Sequence, residues 1–443
     1  MRQSFAKQPF RPLSPFLAWP VFCAKPPFSL PALVHGLEQS QWEPADALAA
    51  GRRAQQRLSL EWAVNNVAYY RKAPGYADAL AVVRRRPDEI DSVWPQLPIL
   101  TKADLRALGR GLYAPGLPPG HGPLHTIQTS GSTGIPVAVG TTALTRAIWD
   151  ASTIRDHLWH RRDFSKRLGV IRWVENSKRI PGGVVSQSWG RAVAQLFSSG
   201  QAASIHVGSP LSDLVAWLKR LDPHYVLTYP SIAAALLDEL GSDRPPSLEE
   251  FRLFAEPLDP ELEQRLQAQW QVRCANTYSA NEVGYIAIQC PERSSLHVQA
   301  ESLLVEILDE AGQACGVGDT GRVVLTSLHN LATPLLRYEI GDYATVGAPC
   351  PCGRESEVIE RICGRVRNMA RTPDGQRFYP SGMTAIRRFA PVRQAQYVQT
   401  APNHIDLRVV LGHPFDVAIV AVDAIERGPT GKFEEFLSLL PDR

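Results

Sequence analysis

Eight residues in the first third of the chain, Thr129-Ser130-Gly131-Ser132-Thr133-Gly134-Ile135-Pro136, combine hydroxyl side chains with glycines. Glycines let a backbone approach a ligand closely, and successive hydroxyl and N–H groups suit the oxygens of a phosphate chain. The Gly-Lys-Ser/Thr ending of a Walker loop is absent, so P-loop mechanics do not transfer. Taken alone, the run reads equally as a phosphate cradle or as a flexible Ser/Thr/Gly linker. A second constellation is Cys290 and His297 in Cys-Pro-Glu-Arg-Ser-Ser-Leu-His, with Cys350 and Cys352 in Cys-Pro-Cys-Gly. Three thiolates and an imidazole form a recognised structural zinc set, and four protein ligands leave no open position for catalysis by the metal. The other reading of the same residues is three free thiols around a core histidine.

The elements that must position these groups follow from apolar spacing. Leu60, Ala63, Val64, Val67 and Tyr70 recur at helical intervals, so the segment from about Leu48 to Arg71 reads as an amphipathic helix. Thr101 caps a helix that opens with Lys102. Between Leu168 and Leu240, short apolar runs (Gly169 to Trp173, Tyr225 to Leu227) alternate with helical stretches (Leu211 to Leu221, Ile232 to Leu240), which implies an α/β layer structure. Leu303 to Leu308 and Gly321 to Thr326 read as strands paired antiparallel across a turn. The expected fold is α/β: a large, multi-subdomain N-terminal domain with β-sheets flanked by helices, and a small mobile α+β C-terminal domain. The boundary falls near Arg367, giving domains 1–366 and 367–443.

The bulk numbers narrow the function classes. At 443 residues the chain exceeds one ordinary hydrophobic core. The balance of 44% hydrophobic to 21% charged residues is that of a globular protein, which excludes disorder. The net charge of +3, from 47 basic and 44 acidic residues, predicts no nucleic-acid partner and no anionic membrane partner. No run of eighteen apolar residues appears, and Pro12, Pro15, Pro20, Pro26 and Pro27 break up the N-terminal stretch, which reads as an irregular arm. Seven cysteines in so long a chain do not make a secreted disulfide framework, so the cytoplasm is the default compartment.

Several motifs in one order carry a resemblance: TSGSTGIP, then Ala255-Glu256-Pro257, Tyr278-Ser279-Ala280-Asn281-Glu282, Tyr338-Glu339-Ile340-Gly341-Asp342, Gly364-Arg365 and a terminal Gly431-Lys432. Together they resemble the adenylate-forming superfamily. Three further segments, PILTKADLR before the loop, TYPS after it and CPCGR between the Gly-Asp and Gly-Arg pairs, resemble its phenylacetate-CoA ligase branch. The resemblance implies that Thr129, Ser130, Gly131, Ser132, Thr133 and Gly134 hold the pyrophosphate part of ATP, that Glu256 and Pro257 line the adenine, and that Tyr278 contributes to the nucleotide site. It implies that Glu282 binds Mg2+, that Asn281 hydrogen-bonds the α-phosphate, that Asp342 accepts from both ribose hydroxyls and that Arg365 lies near ribose and phosphate. Lys432 matches the lysine that the small domain inserts during adenylation.

The reaction so implied is ATP-dependent activation of a carboxylic acid, aromatic or arylacetic by resemblance, to an acyl-adenylate with release of pyrophosphate, followed by transfer to a thiol. Coenzyme A is the expected acceptor; a carrier-protein thiol or an amine are the others, and a noncatalytic nucleotide-binding relative is the alternative class. The segments nearest the motifs, Ser186 to Trp189, Tyr229 to Ser231 and Ser279 to Ala280, are expected to build the acyl pocket. Three positions depart from the resembled patterns: Val137 stands where a lysine often follows the loop proline, Asn281 where a Thr or Ser precedes the metal-binding Glu, and Arg367 where the phenylacetate-CoA ligase branch has an acidic hinge residue. Homodimer formation is left open.

Overall fold

Along the central strands, neighbouring residues serve two different cores. Ala202 and Tyr225 pack in one apolar cluster, while their neighbours Ala203 and Val226 pack in another, as the two-residue period of a pleated strand requires. Such strands must be covered on both faces, and they are. The computed structural model describes residues 29–128, 137–174, 180–365, 370–374, 377–378, 392–401 and 403–411. The chain divides into two compact units, Met1–Val366 and Arg367–Arg443.

The first unit is built on a 12-stranded sheet with the order β11-β12-β13-β14-β10-β9-β8-β7-β6-β3-β5-β4. Its strands are β3 (Leu168–Arg172), β4 (Val184–Ser186), β5 (Ala202–His206), β6 (Tyr225–Thr228), β7 (Glu250–Phe254), β8 (Arg273–Ala280) and β9 (Gly284–Gln289). They continue with β10 (Leu296–Val298), β11 (Leu303–Leu308), β12 (Thr320–Ser327), β13 (Tyr338–Val346) and β14 (Val358–Arg365). Strands β5, β3, β6, β7 and β8 run parallel, joined by helices that include Leu211–Leu221, Pro230–Leu240 and Pro260–Trp270. Those helices fill one face through Trp217, Leu237 and Leu266. The helices Leu30–Ser40 and Ala143–Trp159 fill the other through Leu33, Leu144 and Ile154. From β8 to β11 every pairing is antiparallel.

The helix expected over Leu48 to Arg71 is present as Ala45–Asn66, followed by Ala68–Lys72. β11 and β12 pair antiparallel from Leu303 opposite Ser327 to Leu308 opposite Arg322. Pro31 stands in the first turn of the helix Leu30–Ser40, where its missing N–H costs nothing. The hairpin β1 (Leu124–Gln128) and β2 (Ala138–Thr142) pairs Gln128 with Ala138; of the connection between them, Thr129 to Pro136 lie outside the described residues, as does the N-terminal arm.

A buried ion network fixes the helix Ala143–Trp159 to the sheet. Arg162 donates to Glu250 at 2.6 Å and Arg252 donates to Asp156 at 2.5 Å. Burial alone raises the Asp156 carboxyl, but the Arg162 and Arg252 guanidinium groups outweigh it and hold the group well below the ordinary carboxylate range. In the second unit, β15 (Ala370–Arg371) pairs with β16 (Arg377–Phe378), and β17 (Val392–Ala401) pairs with β18 (His404–Leu411), all antiparallel. Lys432 lies outside the described residues. Among the described residues, no helix is long and apolar enough to cross a membrane.

Candidate active site

β13 carries the Gly-Asp pair and β14 the Gly-Arg pair, and the ladder sets Asp342 opposite Arg365. Gly341 has φ +88°, a conformation that an L side chain adopts only with strain. Asp342 is buried. Its Oδ2 accepts the Tyr278 hydroxyl at 2.8 Å and its Oδ1 lies 3.4 Å from the Arg365 Nε. Burial first, and then the Asp342 charge, push the Tyr278 phenol well above its ordinary value, so it remains protonated as the donor.

Glu282 sits in the turn between β8 and β9 and is only 6% exposed. The ammonium of Lys102 lies 3.7 Å from its Oε1. That lysine owes its position to local and long-range devices together. Thr101 and Asp104 form a reciprocal capping box at the start of the helix Lys102–Leu108. Just before it, Leu100 donates to the Arg337 carbonyl and accepts from the Glu339 N–H, both at 2.9 Å, as an added bridge beside β13. Arg337, at φ +50°, donates from Nη1 to the carbonyls of Pro95 and Leu97 at 2.6 Å each. Its guanidinium also pairs with Glu306 at 3.0 Å. Neither Lys102 as a charge at the site nor Arg337 as its support is marked by local sequence, because both act on residues far along the chain.

A buried carboxylate with one cation at ion-pair distance is incompletely compensated, and a hard divalent cation with phosphate oxygens would complete it. Glu282 therefore fits magnesium. Exposed Asn281 adjoins it. Glu256 is also exposed and accepts from the Ser231 N–H at 2.9 Å and hydroxyl at 3.0 Å. It thus ties Ala255-Glu256-Pro257 to the start of the helix Pro230–Leu240, and Tyr229 stacks on Phe254 at 4.8 Å between centroids.

A cavity of about 350 Å3 opens at Asn281, Glu282, Val283 and Gly284 and is walled by Ile127, Gln128, Thr141, Thr145, Arg146 and Trp149, with Ser327 and Asn330 completing the lining. Gln128, the last residue of β1, immediately precedes the Ser/Thr/Gly run in sequence and lines the same cavity as Glu282. Of the segments expected to form an acyl pocket, none lines this cavity among the described residues. Trp189 is instead core, donating to the Lys166 carbonyl at 2.8 Å and packing edge-on to Phe164 and Tyr225. Ser231 is occupied with Glu256.

Cys290, His297, Cys350 and Cys352 converge, with their ligand atoms all within 4.8 Å of one another. The Cys290 and Cys350 sulfurs are 3.8 Å apart, and the Cys352 sulfur is 3.3 Å from His297 Nε2. Zinc bonds of about 2.3 Å to sulfur and about 2.0 Å to nitrogen imply tetrahedral edges of roughly 3.5–3.8 Å, so the donor set fits zinc. Burial pushes the Cys290 thiol up to about 12. Burial also opposes ionisation of Cys352, but hydrogen bonds from the Arg354 backbone and guanidinium bring it below its ordinary value. Burial and then Arg354 lower His297 to about 4, leaving the neutral imidazole that ligates metals. Arg354 is itself held between Trp42 and Trp159, at 4.7 and 4.3 Å from their ring centroids.

No protein-family model matches the chain. A segment of 208 residues is 30% identical to phenylacetate-coenzyme A ligase of Thermus thermophilus, covering 44% of this chain and 46% of that relative, so the match spans about half the relative's length. The phenylacetate-coenzyme A ligase of Aromatoleum evansii is 25% identical over 357 residues, 75% of this chain and 74% of the relative. Among solved structures, 2-hydroxyisobutyryl-CoA ligase in the postadenylation state, in complex with R3-HIB-AMP, superposes with a TM-score of 0.63 at 19% identity, covering 84% of this chain and 80% of that one. Its open conformation, in complex with 2-HIB-AMP and CoA, gives 0.60 at 20% identity, over 84% and 86%. By sequence the chain is similar to these phenylacetate-coenzyme A ligases, and its fold is that of the 2-hydroxyisobutyryl-CoA ligase structures.

Proposed function

We propose that this chain activates a carboxylic acid with ATP, forming an acyl-adenylate and pyrophosphate, and passes the acyl group to a thiol, that of coenzyme A. The observation that carries the reading is one convergence: Tyr278, Asp342 and Arg365 form one polar cluster, Lys102, Glu282 and Asn281 form the next, and the end of β1 reaches the latter. Asp342 offers a buried two-oxygen acceptor suited to a ribose diol. Glu282 would hold magnesium, which when bound screens the phosphate charge. Lys102 supplies a fixed positive charge beside that carboxylate. The cavity beyond Asn281 takes the acid, whose carboxylate must reach the α-phosphorus. An aromatic or arylacetic acid suits the Trp149 wall and the named relatives.

Acid-dependent ATP–pyrophosphate exchange over a panel of acids, with mass spectrometry of products after coenzyme A is added, tests the proposal. No exchange with any acid together with no binding of ATP would sink it. Replacing Asp342 with Asn leaves the strand pairing but weakens the acceptor. The expected result is a rise in the Michaelis constant for ATP of about tenfold, the worth of a charged hydrogen bond; an unchanged constant removes the ribose role.

We also propose that the Cys290, His297, Cys350, Cys352 cluster is a structural zinc site. It staples the turn between β9 and β10 to the loop between β13 and β14, the strands that carry Asp342 and Arg365. Protein purified without chelators is expected to hold about one zinc per chain. Cys352→Ser is expected to lose that zinc and to melt at least about 2–4 °C lower, the shift produced by ~1 kcal/mol in a large domain. Metal analysis of the unaltered protein showing no zinc refutes the site.

A further inference from the structure

The cavity meets the proposed nucleotide site at Gln128, Asn281 and Glu282 and extends away from its ribose end: Tyr278, Asp342 and Arg365 do not line it. Its volume falls within the range of small-molecule sites, about 300–1,000 Å3. One wall is apolar and rigid. Trp149 meets Tyr285 edge-on at 5.5 Å, and a Cβ on Gly284 would stand 3.6 Å from the indole, so the turn backbone closes against that ring. Ile127 and Val283 extend this wall. Such a surface suits a carbon skeleton rather than a phosphate chain.

The remaining wall carries charge. Arg146 lies one helical turn before Trp149 and lines the cavity. Among the described residues, no carboxylate stands at ion-pair distance from its guanidinium. Asp150, one turn further on, feels the Arg146 charge but is engaged by Arg191 at 2.6 Å and Gln195 at 3.3 Å. The stability of the helix does not account for a cation here, because Arg146 stands in the first turns of Ala143–Trp159, where positive charge is unfavourable. The hydroxyl of Thr145 is already committed to the capping box with Thr142. The guanidinium is therefore the strongest hydrogen-bond donor on this wall without a charged protein partner at contact distance, and its planar fork matches a carboxylate.

We infer that the acid taken by this site carries a second anionic group, bound by Arg146, on an apolar body packed against Trp149. The inference rests on the adenylation proposal for the fate of the first carboxylate, which lies toward Glu282 and Lys102, while the second lies toward Arg146. It narrows the substrate class to dicarboxylic acids, including aromatic acids with a carboxyl substituent.

Exchange kinetics on matched pairs, phenylacetate with 4-carboxyphenylacetate and hexanoate with adipate, provide the test. The unaltered enzyme is expected to favour the diacid of at least one pair in kcat/KM by about tenfold or more, the effect of a charge-assisted hydrogen bond. Arg146→Met is expected to lower the diacid-to-monoacid ratio by roughly tenfold to a hundredfold, and Arg146→Lys to restore part of it. A preference for the monoacid in both pairs overturns the inference. So does an Arg146→Met ratio equal to that of the parent, or a rise in the Michaelis constant for ATP alone, which would assign the arginine to phosphate. Equilibrium dialysis of the diacids with magnesium and a nonhydrolysable ATP analogue separates this inference from the adenylation proposal. Binding that depends on Arg146 without exchange for any acid leaves the pocket standing and adenylation refuted; absence of both refutes both.

Discussion

Replacing Glu282 with Gln is expected to lower acid-dependent ATP–pyrophosphate exchange by about 10²–10³-fold, the scale on which removal of one preorganised electrostatic group acts in a closed site. The substitution keeps the side chain's size, so packing around the turn between β8 and β9 is preserved. What it removes is the negative charge of a group only 6% exposed, together with its attraction for Lys102 at 3.7 Å. The Lys102 ammonium is then left uncompensated beside the place where the proposed magnesium ion would be held, and like charges repel. Raising the magnesium concentration should recover part of the rate if Glu282 holds the ion. Exchange at the parental rate would show that the carboxylate plays no part, and loss of rate with a matching loss of thermal stability would make its role structural. A double variant with Lys102→Met separates the two charges. If they work as a unit, the second substitution adds much less than its effect alone.

Features set by neighbouring residues were legible in the sequence. The Thr101 cap, the helix Leu211–Leu221 and the antiparallel pair β11 and β12 depend on spacing within a short window, and all are found at the expected places. The four zinc-set residues were also legible, because thiols and imidazole announce their chemistry by type and they do converge. Lys102 was not legible as a charge at the site. Its neighbours in sequence explain only why a helix begins there, whereas its contact with Glu282 depends on Leu100 joining the ladder beside Tyr338. Arg337 was hidden for the same reason: its left-handed backbone and its bonds to Pro95 and Leu97 exist only once the sheet has formed.

The segments expected to build the acyl pocket show how nearness along the chain differs from nearness in space. Proximity to motifs along the chain pointed to Ser186 to Trp189, but β4 is the last strand of the sheet and Trp189 turns into the core beside Tyr225. The cavity at Glu282 is assembled where the β1-β2 hairpin, the first turns of Ala143–Trp159 and the turn before β9 meet. Pieces brought together by strand order leave no local period, so neither hydropathy nor spacing could find Arg146.

Lys432→Ala is expected to reduce adenylation by about 10²–10³-fold while sparing thioester formation from a supplied acyl-adenylate. Lys432 lies outside the described residues, and its assignment rests on Gly428-Pro429-Thr430-Gly431-Lys432, which resembles the terminal motif of the superfamily. The physical case concerns where charge appears. As the acid's carboxylate attacks the α-phosphorus, negative charge gathers on the phosphorus-bound oxygens, and an ammonium placed there stabilises the transition state more than the ground state. Thioester formation from a finished adenylate creates its charge on a carbonyl oxygen and on the departing AMP, so the same lysine is not required. Exchange assays of the first half-reaction, run beside thioester formation from synthetic acyl-adenylate, separate the two. Equal losses in both would contradict this division of labour and assign Lys432 to folding or to nucleotide binding in general. Loss confined to the first half-reaction, with an unchanged Michaelis constant for ATP, would mark a contact made chiefly in the transition state.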